Sequence, residues 1–387
     1  MVYQYDNLNR LTGLNSSQLG PYTYGLDSAG KITSALEPNN RAIQWSYDGI
    51  NRLINEAITS APSGKNGTVS YTLDPVGNRT SVTSGISGFS PIGGVFDKDD
   101  ELTSAESYDQ DGNVTATGGK TFSHNSQNQL ITMGSTVSLI YDGDGNRVAK
   151  SVSGTVTRYL VDDLNPTGYP QVVEELNSSG AVQRQYSYGL QRISENQIIS
   201  GTWTPSFYAY DGMGTVRQLT NISGAVTDTY EYDAFGNLLN STGTTPNAYM
   251  YRGEAYDSDL GLYYLRARWM NPLTGRFMSR DPNEPKLRDS NGTPIDPKKL
   301  HKYLYAGGDP VNMIDPTGRD DEEDEGFLYT EIGPTAEEIK KFIAGPVLCA
   351  FAVDAYAISV WNGGNAMDNS LGGAGTAAGC AVLLLGW

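Results

Sequence analysis

A short unit recurs from the start of the chain to about residue 242, and this repetition constrains the fold more than any other feature. Each unit has a Tyr soon followed by Asp, then a turn rich in Gly and Asn. Arg or Lys comes next, before an apolar residue and Thr or Ser. A chain built in this way must fold by stacking copies of one local structure. Clear copies start at Tyr5, Tyr47, Tyr71, Tyr108, Tyr141, Tyr210 and Tyr232.

Each unit has the pattern of a β-hairpin. The residues on both sides of the turn alternate between apolar and polar, as they do in strands. The turn itself supplies Gly and Asn, which tolerate the left-handed backbone conformation that tight hairpin turns need. A single hairpin is not stable alone, so neighbouring units must bury one another's faces. Periodicity by itself permits a spiral ribbon, a β-solenoid or a propeller equally well.

The composition agrees with a mainly β protein and excludes several classes. The chain of 387 residues contains 45 Gly, and its 25 Tyr far exceed its 9 Phe, which suits many short strands joined by turns. A net charge of −17 and the lack of a basic stripe exclude nucleic acid as a partner of the whole chain. The cysteines, Cys349 and Cys380, lie in the last 40 residues, so no disulfide scaffold is expected in the repeats. The first residues lack the charged start and apolar core of a secretory signal peptide.

A second recognisable segment covers residues 251–318. Its motifs lie at 261–268, 275–277, 280–282, 303–306, 309–312 and 315–318. In this order they closely resemble the core domain that ends the repeat region of bacterial RHS proteins. These proteins are relatives of polymorphic toxins and of toxin-complex C subunits, and their YD repeats resemble the repeated unit described above. The resemblance implies a ribbon of YD-repeat hairpins that spirals into part of a hollow shell, closed by the core domain.

Four regions are therefore predicted: YD repeats at 1–243, the core domain at 244–318, an acidic linker at 319–333 and a variable helical tail at 334–387. The tail begins like a capped helix, with Thr335 as N-cap and Glu338 three residues later. Two apolar runs follow, at 343–361 and 371–387. They suit either a hairpin of two membrane-active helices, or a buried helical hairpin or inactive remnant. We favour a tail that does not span the membrane, because the second run has only 17 residues and Asp354 is costly in lipid. Membrane contact is expected through the tail only.

Asp281 and Asp315 are the predicted catalytic residues. Two carboxylates held close together shift each other's pKa, so one acts as a general base while the other donates a proton. The resemblance implies an aspartyl autoprotease built on these two residues, with Arg280 before the first as electrostatic support. The second motif, at 315–318, is intact, but the first reads Asp281-Pro282-Asn283-Glu284, so its Gly is absent. The alternative is that both Asp-Pro pairs only start turns.

Other chemistry finds little support in the sequence. The Asp-rich turn at 142–146 resembles a calcium loop, but the expected Gly and acidic positions hold Arg147 and Ser153. The histidines, His124 and His301, form no cluster for a triad or a zinc site. No cofactor and no metal are predicted.

The predicted function is that of a structural and delivery module, because the resemblance implies a shell that encloses or presents its own C-terminal segment. The setting would be bacterial toxin export or competition between cells, at a secreted or cell-surface location. Secretion-apparatus or cell-surface proteins and carbohydrate are further partners that the resemblance implies. Two alternatives remain open: an aspartyl autoprotease that releases the tail, and a carbohydrate-binding module at the cell surface.

Overall fold

The computed structural model of the chain describes residues 2–16, 20–283, 297–319 and 322–323. Every described residue belongs to one compact unit, which lies within Met1–Leu328. The predicted tail helices, both cysteines and the linker beyond Glu323 lie outside the described residues.

Antiparallel sheets make up almost all of the described chain. The first has eight strands: β1 (Val2–Tyr5), β2 (Leu11–Ser16), β3 (Gly20–Leu26), β4 (Ile32–Leu36), β5 (Ala42–Tyr47), β6 (Leu53–Thr59), β7 (Gly67–Leu73) and β8 (Arg79–Ser84). The second has fourteen: β9 (Glu106–Tyr108), β10 (Val114–Thr117), β11 (Lys120–His124), β12 (Leu130–Met133), β13 (Val137–Tyr141), β14 (Arg147–Val152), β15 (Thr155–Asp162), β16 (Gln171–Asn177), β17 (Val182–Tyr188), β18 (Arg192–Ile199), β19 (Thr202–Tyr210), β20 (Val216–Thr220), β21 (Val226–Tyr232) and β22 (Leu238–Thr242).

The segment after residue 243 has smaller elements. Its four-stranded sheet contains β23 (Ala255–Asp257), β24 (Leu262–Leu265), β25 (Arg268–Asn271) and β26 (Arg276–Phe277), and a final pair joins β27 (Met313–Ile314) to β28 (Glu322–Glu323). Short 3-10 turns lie at Tyr251–Gly253, Pro297–Leu300 and Ala306–Gly308. In both large sheets each strand pairs with its neighbours in sequence, and neither sheet closes on itself over the described residues. The mainly β meander confirms the predicted fold class.

The repeated Asp builds the hairpin turns. At Asp48 the backbone N–H donates to Arg52 O (2.9 Å), while the N–H of Asn51 donates to Asp48 O (3.0 Å). One carboxylate oxygen of Asp48 also accepts from the N–H groups of Ile50 (3.1 Å) and Arg52 (2.9 Å). Asn51 has φ 67°, the left-handed residue of a hairpin turn that ends in a bulge. The same pattern of hydrogen bonds recurs at Asp6, Asp27, Asp74, Asp97, Asp109, Asp142, Asp211 and Asp233.

This geometry confirms that the units are hairpins, and it explains why the Asp-rich turns need no metal. The carboxylate oxygen Oδ1 of Asp142 accepts from the backbone N–H groups of Asp144 (3.0 Å) and Asn146 (2.8 Å). Among the described residues no group of His, Cys, Asp and Glu is arranged to hold a metal ion.

The described part of residues 244–318, which we call the core segment, packs against both large sheets. One hydrophobic cluster includes Trp45 from the first sheet, Tyr208 from the second, and Tyr263 and Tyr305 from the core segment. A second cluster joins strands β10–β13 to residues such as Trp269. The aromatic side chains bury large areas while each Tyr keeps a hydroxyl for hydrogen bonding, which suits an interior that also contains charges. The core segment therefore ties the two sheets together.

Buried charges line the contact between the two sheets. We call this contact the inter-sheet seam; its first-sheet side consists of Glu37, Arg41 and Glu56, and its second-sheet side of Asp211, Arg217 and Asp233. Arg41 is fully buried, pairs with Glu37 (2.7 Å) and donates to Tyr232 O (2.6 Å). Arg217 pairs with both Glu37 and Asp211. Because buried charges need partners, each sheet depends on the other for the pairing of its own charges.

Candidate functional site: two aspartates on one guanidinium

The structure brings Asp281 and Asp315 to the same arginine. Asp281 lies shortly after β26, where its backbone N–H donates to Lys302 O (2.8 Å), and Asp315 follows β27 directly. One carboxylate oxygen of Asp281 lies 2.9 Å from Nη2 of Arg268, and one of Asp315 lies 3.2 Å from that same nitrogen. The two acidic residues predicted from their motifs therefore form one site, although 34 positions separate them.

Arg268 is held in place by the core hairpin. It begins β25, after a two-residue turn in which Arg266 has φ 58°, and only 3% of its surface is exposed. Its guanidinium carbon lies 3.6 Å from the ring centroid of Phe277, and its Nε donates to Gly318 O. The same turn contacts the second motif, because the N–H of Ala267 donates to Thr317 O (3.1 Å). Thus a rigid β element sets the position of the positive charge.

The two carboxylates have different surroundings. The Asp315 side chain is fully buried, and this burial raises its pKa to about 6. The positive charge of Arg268 opposes that rise, as do hydrogen bonds from the N–H of Arg319 (3.0 Å) and the hydroxyl of Thr317 (3.2 Å). The Asp281 side chain keeps 24% of its surface exposed. A buried carboxyl with a raised pKa, beside one that reaches water, has the pairing of a general acid with a general base.

Arg280 contacts a different part of the molecule. Its Nη2 donates to Glu101 (2.7 Å) and its Nε lies 3.2 Å from the Tyr303 hydroxyl, so it links the core segment to the loop before β9. The guanidinium beside the aspartates is that of Arg268. A catalytic role for Arg280 stays a prediction.

Sequence reasoning missed Arg268, although it falls inside the motif at 261–268. The available signal was its place in an apolar strand, next to Trp269 and Met270. A charged side chain in a buried strand requires a buried partner of opposite charge, and that requirement could have pointed to it.

The backbone after the second motif lies against the first. The side-chain amide of Asn283 donates to Arg319 O (3.3 Å), and β28 then pairs with β27 at the start of the predicted acidic linker. Most of the insert between the motifs, residues 284–296, lies outside the described residues. Asn283, at the variable position of the first motif, thus contacts the chain that leaves the core segment.

A cleft of about 730 Å³ opens beside Asp315. Turns of the second sheet form one wall, with Tyr188 and Tyr210, and the core segment forms the other, with Arg266 and Ile314. The cleft's arginines already bind protein groups: Arg192, for example, donates to Gly253 O (3.0 Å). The cleft therefore extends to Asp315, and its arginines contribute to the packing of the protein.

His301 is held by structural hydrogen bonds. Its Nδ1 accepts from the N–H of Tyr303 (3.0 Å) and its Nε2 lies 2.9 Å from Oδ1 of Asn78. Burial lowers the pKa of His301 well below its usual value, and burial also lowers the pKa of His124, to about 4. Both rings are therefore neutral at ordinary pH, which agrees with a structural role.

Two large sheets of repeated hairpins, joined by a core segment that contains a buried charged site, are the features of a YD-repeat shell protein. The chain belongs to the Teneurin YD-shell family, whose model matches residues 54–311. This match confirms the predicted RHS/YD-repeat character.

Relatives of the chain include nucleases named WapA and a teneurin. The chain is 32% identical over 291 residues to the tRNA3(Ser)-specific nuclease WapA of Bacillus spizizenii. The aligned residues cover 70% of this chain and 12% of that protein. It is 27% identical over 329 residues to Teneurin-4 of Mus musculus, with 81% of this chain and 11% of that one covered. The chain therefore spans about an eighth of the length of such relatives.

Solved structures agree with this fold. The crystal structure of TcdB2-TccC3-TEV matches with a TM-score of 0.61 and 18% identity, covering 82% of this chain and 18% of that one. The Tc holotoxin pore of Photorhabdus luminescens, with a mutation in TccC3, matches with a TM-score of 0.60 and 17% identity, covering 84% and 18%. At these identities the likeness shows the fold alone.

Proposed function

We propose that the chain is a structural and delivery module that encloses or presents the polypeptide following its core segment. Toxin export or competition between bacteria would be the setting, at a secreted or cell-surface location. The observation that supports this proposal is the packing of the core segment, which contacts both large sheets. The polypeptide that follows leaves the shell from this segment. Relatives named as nucleases, which share only this part of their length, are consistent with a shell that precedes variable segments.

Polar contacts as well as apolar ones hold the core segment against the two sheets. Asn312 accepts from the N–H of Ile32 (2.7 Å) and its amide lies 3.0 Å from the Tyr47 hydroxyl, both on the first sheet. On the second sheet, Lys150 pairs with Asp257 (2.6 Å). These partners lie more than 100 positions apart in sequence, so they hold the core segment only when both sheets are folded.

A delivery shell must be able to fold regardless of which segment follows it in the chain. We expect that replacing residues 329–387 with an unrelated domain leaves the melting temperature of the shell within about 2 °C, because every residue of the inter-sheet seam precedes residue 329. Circular dichroism at strand wavelengths would measure this. A shell that no longer folds would contradict the proposal.

Enclosure can be separated from presentation by cysteine labelling. Cys349 and Cys380 both lie in the segment after the core and are the chain's two cysteines. If the shell encloses that segment, maleimide should label them in the native chain at least 10-fold more slowly than an introduced Leu164→Cys, at a position that is 92% exposed. Equal rates would rule out enclosure and leave presentation.

A second proposed function is self-cleavage by Asp281 and Asp315. The observation that favours it is the convergence of both carboxylates on one buried guanidinium, with the departing chain alongside. Asp281 would take a proton from water and Asp315 would supply one to the leaving nitrogen.

Intact mass spectrometry of the freshly purified chain tests self-cleavage. We expect two fragments from the wild type and one uncut species of 41.8 kDa from Asp281→Asn and from Asp315→Asn. Asp309→Asn is the matched control, because Asp309 is also buried and also precedes a proline in the core segment. Fragments that persist in both site variants would exclude these aspartates.

Carbohydrate binding and cell-surface partners stay predictions of the family resemblance, which a glycan array would test. Among the described residues, none of the helices has the length and apolar character to cross a bilayer.

A further inference from the structure

The second sheet has a face that is turned away from the core segment. On β18 and β19 alternate side chains contact that segment: Nε2 of Gln197 donates to Pro246 O (2.8 Å), and the Tyr208 hydroxyl donates to Oδ1 of Asn247 (3.1 Å). Because successive side chains of a strand point to opposite faces, the residues between these point outward. Directly paired residues share a face, so the pairing of the strands extends this assignment to β17, β20 and β21.

The outward face is uncharged over these five strands, and we call it the neutral face. Strand pairing places thirteen side chains on it: Gln185, Ser187, Ser194, Asn196, Ile198, Trp203, Pro205, Phe207, Ala209, Gln218, Thr220, Val226 and Thr229. At ordinary composition about three of them would be charged. The charges return on β16, where Glu174 pairs with Gln185. In a chain of net charge −17, an anionic ligand therefore finds no positive charge on this face.

One large aromatic side chain of the neutral face is exposed to solvent. Trp203 is 43% exposed, and it pairs directly with Ile198, which is 39% exposed. Phe207 lies further along the same strand and on the same face. The repeat tyrosines of these strands do not offer such a surface, because Tyr186 and Tyr208 are buried on the side of the core segment. An exposed indole beside amides and hydroxyls combines an apolar plane with neutral hydrogen-bonding groups.

Two amide groups of the neutral face have unused acceptors. Oδ1 of Asn196 and Oε1 of Gln218 accept no hydrogen bond from the described residues. A half turn of an amide exchanges its oxygen with its NH2 group, so either group can be presented to a ligand. The hydroxyl group of a ligand can therefore supply the missing donor.

The size of the neutral face does not suit a stable protein interface. Five strands about 4.8 Å apart, with about 3.4 Å per residue along β19, cover roughly 400 Å². A stable interface buries about 800 Å² on each partner, so a second copy of the chain would be held weakly. An oligosaccharide needs less area, because an aromatic plane can stack on the C–H face of a sugar ring while amides bind its hydroxyl groups.

We propose that the neutral face binds a neutral oligosaccharide, with Trp203 stacked on a sugar ring and the amides of Asn196 and Gln218 bonded to its hydroxyl groups. The inference rests on carbohydrate binding as a function of the chain, and it assigns that function a surface, an aromatic contact and an uncharged ligand. The sugar lies on the face opposite the core segment, so its binding does not compete with the presentation of the C-terminal segment.

Isothermal titration calorimetry with neutral pentasaccharides tests this inference. The probes are maltopentaose, cellopentaose and N-acetylchitopentaose, and pentagalacturonic acid is their anionic counterpart. We expect at least one neutral probe to bind, with an affinity that stays unchanged as the salt concentration rises, because no charged group takes part. The anionic probe should not bind.

Substitutions of exposed residues locate the bound sugar. Trp203→Ala should weaken binding of the neutral probe about 10-fold or more, as expected for the loss of a central aromatic contact. Trp203→Phe keeps an aromatic ring and should retain most of the affinity. Leu160→Ala is the matched control: Leu160 is 51% exposed and pairs with Glu174 on the same side of the sheet, so its replacement should leave the affinity unchanged. Circular dichroism would establish that each variant is folded.

The outcomes separate the surface from the function. A folded Trp203→Ala that binds as tightly as Leu160→Ala would overturn the neutral face as the binding surface, while carbohydrate binding stands. Binding of the anionic probe alone, or an affinity that falls as the salt concentration rises, would overturn the assignment of an uncharged ligand. A wild-type chain that binds none of the probes would overturn carbohydrate binding as well as its surface.

Discussion

Glu56, in the inter-sheet seam, should make the stability of the protein fall as the pH rises. Its carboxylate is fully buried and accepts from Nε1 of Trp45 (3.0 Å) and from the N–H of Ala234 (3.1 Å), which belongs to the second sheet. Burial raises its pKa from 4.5 to about 8, and the negative charge of Asp233 adds to the rise. The positive charge of Arg41 and the two hydrogen bonds lower the pKa of Glu56 and so oppose this rise.

The sign of the effect follows from proton uptake. A carboxyl whose pKa is higher in the folded state binds protons more tightly there, so its contribution to stability is complete below pH 4.5 and disappears as the pH rises toward 8. Each pKa unit corresponds to about 1.4 kcal/mol. Between pH 5 and pH 8, ionisation of Glu56 should therefore lower the free energy of unfolding by about 3–4 kcal/mol, to order of magnitude.

The variant Glu56→Gln isolates this contribution. The two donors bind different oxygens of Glu56, and Gln has an NH2 group in place of one of them, so one donor loses its acceptor. We therefore expect a constant loss of about 1–2 kcal/mol at every pH. The dependence on pH should become shallower by the 3–4 kcal/mol that the carboxyl supplied. Urea unfolding at pH 5 and pH 8, followed by tryptophan fluorescence, measures both parts, since Trp45 touches the altered side chain. Glu174→Gln, in β16 of the second sheet, is the control.

One result would refute this reasoning. If the wild type and Glu56→Gln lose the same free energy of unfolding between pH 5 and pH 8, within about 1 kcal/mol, then Glu56 does not titrate in the folded seam.

Three further substitutions test separate parts of the fold. Gly318→Ala should lower the melting temperature, because its Cβ would lie 2.3 Å from Leu265 O; circular dichroism measures the change, and an unchanged melting temperature would contradict this packing. Asn312→Ala should cost about 1–3 kcal/mol in urea unfolding, since the partly buried N–H of Ile32 loses its acceptor, and an unchanged midpoint would contradict the packing of the core segment on the first sheet. Asn51→Ala should cost about 1 kcal/mol relative to Asn51→Gly, because φ is 67° there; equal melting temperatures would argue against this turn geometry.

The repeat hairpins could be predicted from the sequence because their causes are local. The Asp of each turn bonds to N–H groups two and four residues later, and the left-handed position falls three residues after it, as with Asp48 and Asn51. These short-range rules need no knowledge of the tertiary fold. The motif pattern at 251–318 likewise located the core segment.

The members of the charged site could be predicted only in part. Asp281 and Asp315 stood out as paired motifs, but the guanidinium beside them could not be assigned from chain position. Arg280 is adjacent to Asp281 in sequence, yet its side chain contacts Glu101, whereas Arg268 reaches both aspartates from a neighbouring strand. Adjacent residues near a strand can point to opposite faces, so proximity in sequence is a poor guide to side-chain contacts in β structure.

The seam and the aspartate site respond to pH in the same direction. Glu56 and Asp233 are buried across the seam with raised pKa values, so mild acid removes negative charge there and favours contact between the sheets. Asp315 is buried with a raised pKa as well, so the same acid supplies the proton that the proposed cleavage requires. Both effects have one physical origin: these carboxylates lie in a packed interior, where burial favours the neutral form. Conditions that keep the shell together should therefore also be those in which the chain is cut from it.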